Sequence, residues 1–214
     1  MRPSALVVDS LRSAYFPCPG FQSSCTSMRW KPYVGHVPRG FCGATGTPGD
    51  VRLVLVCAEP GDPHPREAHL GDGTPDGYLE SAYSYAWGCF ENGRDLYHRN
   101  LRHLLNECWP GQTFEQQMQK TWTTESVLCS AEVETGRVAP GVERACAQRF
   151  LRPQLALFPR ATVVALGRKA QGRLRRVGVT EFHSAFAVAP PGCNMPGARE
   201  SWRRVGAMVR SLGQ

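Results

Sequence analysis

The sequence predicts an α/β fold, a three-layer sandwich around a central, mostly parallel four-stranded sheet. Short apolar runs alternate with helical patterns along the chain, and those runs are rich in β-branched residues. At 214 residues, one domain covering the whole chain has enough length to bury a sizeable core.

Residues 1–50 mix Pro, Gly, Ser and Cys with little periodicity, and read as an irregular extension of loops with one helix. "VRLVLV" (51–56) is a continuous β-branched run, as expected of a strand covered on both faces. The Gly-, Pro- and Asp-rich stretch 59–80 reads as a long functional loop. "GYLESAYSYAWGCF" (77–90) alternates Tyr83, Tyr85 and Trp87, which a strand would put on one face. "RDLYHRNLRHLLNECW" (94–109) places Leu96, Leu101, Leu104 and Leu105 on one side of a helix. "ESVLCSA" (125–131) reads as the second strand. Residues 142–158 form a helix that Pro153 should kink or split. "ATVVALG" (161–167) is the third strand, followed by the basic helix "RKAQGRLRRVG". "HSAFAVAPPG" (183–192) is the fourth strand, and residues 198–212 are the last helix.

An apolar content of 42% with 20% charged residues argues against disorder. The net charge of +7 fits a polyanion partner such as nucleic acid, although charge alone identifies none. No run approaches the roughly twenty apolar residues of a membrane span. The start, "MRPSALVVDSLRS", lacks the apolar core of a signal peptide. A soluble, monomeric protein of the cytoplasm, associated with the nucleoid, is the expectation.

In a parallel sheet, ligands bind beyond the carboxyl ends of the strands. Those ends carry Glu59, the 125–131 segment, Gly167 and the 189–198 loop. Three stretches there, taken in order, resemble the uracil-DNA glycosylase superfamily over residues 51–210. The first is "VLVCAEPG", where a strand ends in a polar residue, then Pro, then Gly. The second runs from "TTESVLCSA" to "ATVVALGRKA" (123–170), similar to the iron–sulfur branches. The third is "APPGCNM" (189–195), in the place of a motif loop that begins with His or Asn in relatives.

The resemblance implies an enzyme that flips a nucleotide out of DNA and hydrolyses the bond between base and sugar. Glu59 would orient the attacking water and stabilise the oxocarbenium-like transition state. Taken by itself, without the family context, Glu59 reads rather as the cap of a turn at a strand end. Gly61 stands where the uracil-specific branch has a tyrosine that screens out 5-substituted bases, so it permits a bulkier one; Asp62 follows it in the pocket. Glu125 stands where relatives carry the residue that reads the pyrimidine edge. An ionised carboxylate accepts from the exocyclic amine of cytosine and repels the carbonyl of uracil. A register error of one residue would make it a solvated turn residue instead. Asn194 would donate to the base or a phosphate, Tyr85 is a candidate stacking ring, and Ala189 replaces the motif histidine. His183 or Arg199 could supply the missing donor.

Nine cysteines are many for a reducing compartment. Cys57, Cys89 and Cys108 lie in apolar surroundings and read as core. Cys129 and Cys146, sixteen residues apart, match the iron–sulfur branches, with Cys18 and Cys25 the best further ligands and Cys42 a substitute. A [4Fe–4S] cluster is implied; zinc, or simply buried free thiols, are the alternatives. Gly167, Arg168, Lys169 and Arg199 are candidate phosphate contacts.

These readings combine into a monofunctional DNA glycosylase that prefers a 5-modified cytosine, such as the hydroxymethyl or glucosylated cytosines of phage DNA, with anti-phage defence as its role. Excision of uracil or a damaged base is the alternative. A catalytically silent iron–sulfur DNA-binding module is the alternative from another class.

Overall fold

The computed structural model describes residues 2–16, 18–134 and 136–212. Its five strands are β1 (Cys42–Gly43), β2 (Leu53–Cys57), β3 (Thr121–Glu125), β4 (Thr162–Leu166) and β5 (His183–Ala185). They form one sheet in the order β1-β3-β2-β4-β5. The pairs β2–β3, β2–β4 and β4–β5 are parallel, while β1 runs antiparallel to β3. The expected four-stranded sheet is therefore corrected to a mixed, five-stranded one. β1 carries no readable periodicity because it has only two residues.

Around the sheet lie α1 (Ala5–Arg12), α2 (Pro75–Asn92), α3 (Leu96–Cys108), α4 (Phe114–Lys120), α5 (Pro140–Cys146), α6 (Arg152–Ala156), α7 (Arg168–Arg176) and α8 (Ala198–Leu212). β2 is the central strand, and every residue of "LVLVC" is buried, as its unbroken apolar run requires.

Several boundaries move. The second strand is not 125–131 but "TWTTE" (121–125), which overlaps it only at Glu125. Its threonines are fully buried because each hydroxyl has a partner. Thr121 accepts from Trp109 Nε1 at 3.0 Å, while Thr123 donates to the Cys42 carbonyl at 3.1 Å and Thr124 to Gln154 Oε1 at 2.8 Å. The apolar run after it, with Val127 and Leu128, is buried as a loop rather than a strand.

Residues 77–90 belong to α2, so Tyr83, Tyr85 and Trp87 share no strand face. Tyr83 and Trp87, one helical turn apart, lie with ring centroids 6.3 Å apart. The long loop accordingly ends at Thr74, whose hydroxyl accepts from the Gly77 N–H at 3.1 Å, with Pro75 opening the helix. Pro153 is absorbed by a wide π-type turn over Ala147–Leu151, which joins α5 to α6. β5 covers only the start of the expected 183–192 strand. Beyond it, the Phe186 and Val188 carbonyls accept from Trp202 Nε1 at 3.0 Å and Asn100 Nδ2 at 2.8 Å instead of from a neighbouring strand.

Candidate active site

Because β3 and β4 flank β2, the carboxyl ends of these three strands bring Glu125, Glu59 and Gly167 to one edge of the sheet. Glu125 is the last residue of β3, in register with Cys57. It is 4% exposed, so it is not a solvated turn residue. Glu59 follows β2 by two residues, with its side chain 7% exposed.

The two carboxyl groups differ in their company. Glu59 Oε1 accepts from Lys169 Nζ, and Arg173 Nη1 lies 2.5 Å from Oε2. That second approach is close but poorly aligned, so it is an electrostatic contact rather than a directed hydrogen bond. Glu125 Oε2, by contrast, is buried with no hydrogen-bond partner. Burial pushes the Glu125 carboxyl well above the usual carboxylate range, and the charge of Glu59 pushes it further, against the pull of Arg173 and Arg39. That direction favours the neutral acid over the charged reader expected from the sequence. A neutral acid donates as well as accepts, so hydrogen bonding alone does not exclude uracil.

Lys169, read in sequence as a phosphate contact, and Arg173 lie one turn apart on α7, and both turn towards Glu59. Lys169 also donates to the Gly136 carbonyl at 2.9 Å. Arg173 is 1% exposed, donates to the Ala58 carbonyl at 2.6 Å, and pairs with Glu143 at 3.0 Å. Periodicity could have found them, because their spacing puts both on one face of the helix. Arg39 carries no such signal. It donates to Ser130 Oγ at 2.7 Å and to the Gly61 carbonyl, fixing the loop after Glu59. Gly61 is exposed, and the first atom of any added side chain would meet only the flexible end of Glu134. Asp62 pairs with Arg29 at 3.3 Å.

Other sequence candidates lie elsewhere. Tyr85 sits on α2 against His69, ring centroids 5.6 Å apart, with its hydroxyl accepting from Arg94. Asn194 is exposed, and its Oδ1 faces Cys193 Sγ at 3.4 Å. His183 pairs with Val164 at the opening of β5, the wrong end of the strand for a donor at this edge. Arg199 is exposed on α8, stacked over Trp202 at 5.2 Å. Arg168 is exposed at the start of α7. Gly167 has φ +89°, and a Cβ there would come within 2.8 Å of Ala187 Cβ, so a glycine is required.

Cys18, Cys25, Cys129 and Cys146 line one apolar cavity, with Val142, Phe150 and Arg149 among its walls. Gly20 lies between the first pair, and a Cβ on it would fall 2.9 Å from Cys25 Sγ and 3.4 Å from Cys18 Sγ. Cys18 Sγ accepts from the Gly20 N–H at 3.3 Å and from Arg149 Nη1 at 3.6 Å. Burial pushes the Cys146 thiol up to about 12 and that of Cys129 well above its ordinary value, each raised further by its neighbouring thiols. The donor set suits an iron–sulfur cluster: four sulfurs in a dry wall, with N–H groups aimed at one of them. Among the described residues, no group of three or more His, Cys, Asp or Glu side chains is arranged to hold a single metal ion. Cys42, the substitute ligand, is instead buried in β1 against Thr123. Cys57 and Cys108 belong to the hydrophobic core, as expected, and Cys89 is buried.

No protein-family model matches this chain, and no curated protein matches it. Among the described residues, no helix is long and apolar enough to cross a membrane.

Proposed function

We propose that this protein is a DNA glycosylase, a three-layer sandwich of the uracil-DNA glycosylase kind, that hydrolyses the bond between a 5-modified cytosine and deoxyribose. The observation that carries the reading is the pair of carboxyl groups at adjacent strand tips, one faced by two cations and the other buried without a hydrogen-bond partner. Hydrolysis of a glycosidic bond uses such a division of labour. Glu59 orients water towards C1′ and stabilises the developing cation. Lys169 is committed as an ammonium to Glu59 and to the Gly136 carbonyl, which favours water over a Schiff base and leaves an abasic site without strand cleavage. Gly61 leaves space for a 5-substituent. Exposed Arg168, Arg199 and Arg204 supply charge for phosphates.

The four cysteines would hold a [4Fe–4S] cluster that ties the irregular N-terminal segment to the loop after β3 and to α5. The sulfurs surround a cavity rather than a point, which favours a cluster over one zinc ion.

One observation favours the silent DNA-binding module: Glu59 is already neutralised by Lys169 and Arg173. The same assay separates the two readings. Duplexes holding uracil, cytosine, 5-hydroxymethylcytosine or its glucosylated form are incubated with the protein and probed for alkali-labile sites. The glycosylase cuts at modified cytosine, and Glu59→Gln binds the same DNA but cuts at least about 100-fold more slowly. Cutting at uracil alone overturns the substrate class, and no cutting anywhere leaves the binding module.

A further inference from the structure

The glycosylase reading leaves one group unassigned. Cytosine is a poor leaving group, and the position of the motif histidine holds Ala189. At the sheet edge, the side chain that lacks a partner is Glu125. Its Oε2 is buried without a hydrogen bond. Its shaft fills the space that Gly40 leaves open, where a Cβ would come within 2.6 Å of Glu125 Cγ. The group therefore stands fixed at the tip of β3, beside the residue proposed to hold the water.

We infer that Glu125 is the general acid of the cleavage, donating its proton from Oε2 to N3 of the extruded cytosine ring. The inference rests on the glycosylase reading and supplies its missing donor. The O–H bond at Glu125 breaks as N3–H forms. The C1′–N1 bond breaks with its electron pair going to the base, which leaves as a neutral molecule rather than an anion. Water oxygen bonds to C1′, and its proton passes to Glu59. After release, Glu59 returns that proton to solvent and Glu125 takes one back.

The surroundings suit both states of the acid. Burial and the Glu59 charge favour the protonated form of Glu125 before reaction, while Arg173 and Arg39 offset its negative charge afterwards. Cys57 from β2 and Tyr97 from α3 are the other titratable groups facing it, and burial holds both well above their ordinary values, so they bring no charge near neutral pH. The chemistry also selects the base. N3 of cytosine has a lone pair to receive the proton, whereas N3 of uracil already carries hydrogen. Uracil can hydrogen-bond the neutral acid but cannot take its proton at N3, so discrimination falls on kcat more than on KM.

The test compares wild type with Glu125→Gln, a neutral isostere, in single-turnover cleavage of 5-hydroxymethylcytosine duplexes across pH. Wild-type cleavage is expected to decline as alkali removes the proton. The variant should keep its DNA affinity, cut at least about 100-fold more slowly and lose that alkaline decline. A variant that cuts like wild type, or one that loses affinity while kcat holds, overturns the inference. So does a wild-type rate flat through the alkaline range, a readout that needs no variant to fold. Wild type that cuts no base at all overturns the glycosylase reading as well, which distinguishes that failure from the others.

Discussion

At the carboxyl edge of the sheet, buried carboxyl groups face buried guanidiniums; at the cysteine corner, four thiols face one another and an apolar wall. In the first region charge is kept inside the protein because each charged group has a counter-charge or a carbonyl within reach. Arg173 alone meets Glu59, Glu143 and the Ala58 carbonyl. In the second, burial raises the Cys129 and Cys146 thiols, and a bound metal would draw them into the thiolate form. Low dielectric thus yields a standing electric field in one place and a latent ligand set in the other.

The largest expected effect breaks the first half of that contrast. Arg173→Met would leave Glu59 and Glu143 short of a buried cation and should cost about 3–5 kcal/mol in urea unfolding. A loss below about 1 kcal/mol would mean that the edge is not held by its ion pairs. The second half is sharpened by Cys146→Ser. In protein purified without oxygen it should abolish the visible absorbance and iron content expected of wild type, whereas Cys42→Ser should leave both intact. In metal-free protein, the same Cys146 change should cost only about 1–3 kcal/mol, the price of a buried hydroxyl. The smallest effect on stability is expected at Gly61→Tyr. Gly61 is exposed and a Cβ there meets only the end of Glu134, so unfolding should shift by less than about 0.5 kcal/mol, while cutting at bulky 5-substituted cytosines falls selectively.

The parallel core of the fold was legible wherever burial is complete. β2 and β4 read directly from β-branched runs, and α3 from the spacing of its leucines. β3 was misplaced because "TWTTE" looks polar: its threonines are buried by hydrogen bonds to residues as distant as Cys42 and Gln154, which no local pattern reveals. Alternating aromatics suggested a strand at Tyr83–Trp87, but Thr74 and Pro75 begin a helix that overrides the alternation. At the edge, Glu59 stood out by its place at a strand end, and Glu125 through the family resemblance. Their charge environments were not legible, because Arg39, Lys169 and Arg173 arrive from two distant segments, and a basic helix looks solvated until its inward face is seen. The cysteine set came from the family resemblance, and Cys18, Cys25, Cys129 and Cys146 line one cavity.

Folding raises the Glu125 acid, so its linkage to stability has a definite sign. Stability is greatest below the unfolded value near 4.5 and is lost as pH rises towards the folded value, a fall that Glu125→Gln should flatten. The most direct measurement is a titration of the Glu125 side-chain carboxyl carbon by NMR in wild-type protein, its signal assigned by its loss in Glu125→Gln. A proton still on Glu125 at neutral pH is the predicted result. A midpoint at the ordinary value near 4.5 would contradict the claim that the two carboxyl groups at this edge are held in opposite states.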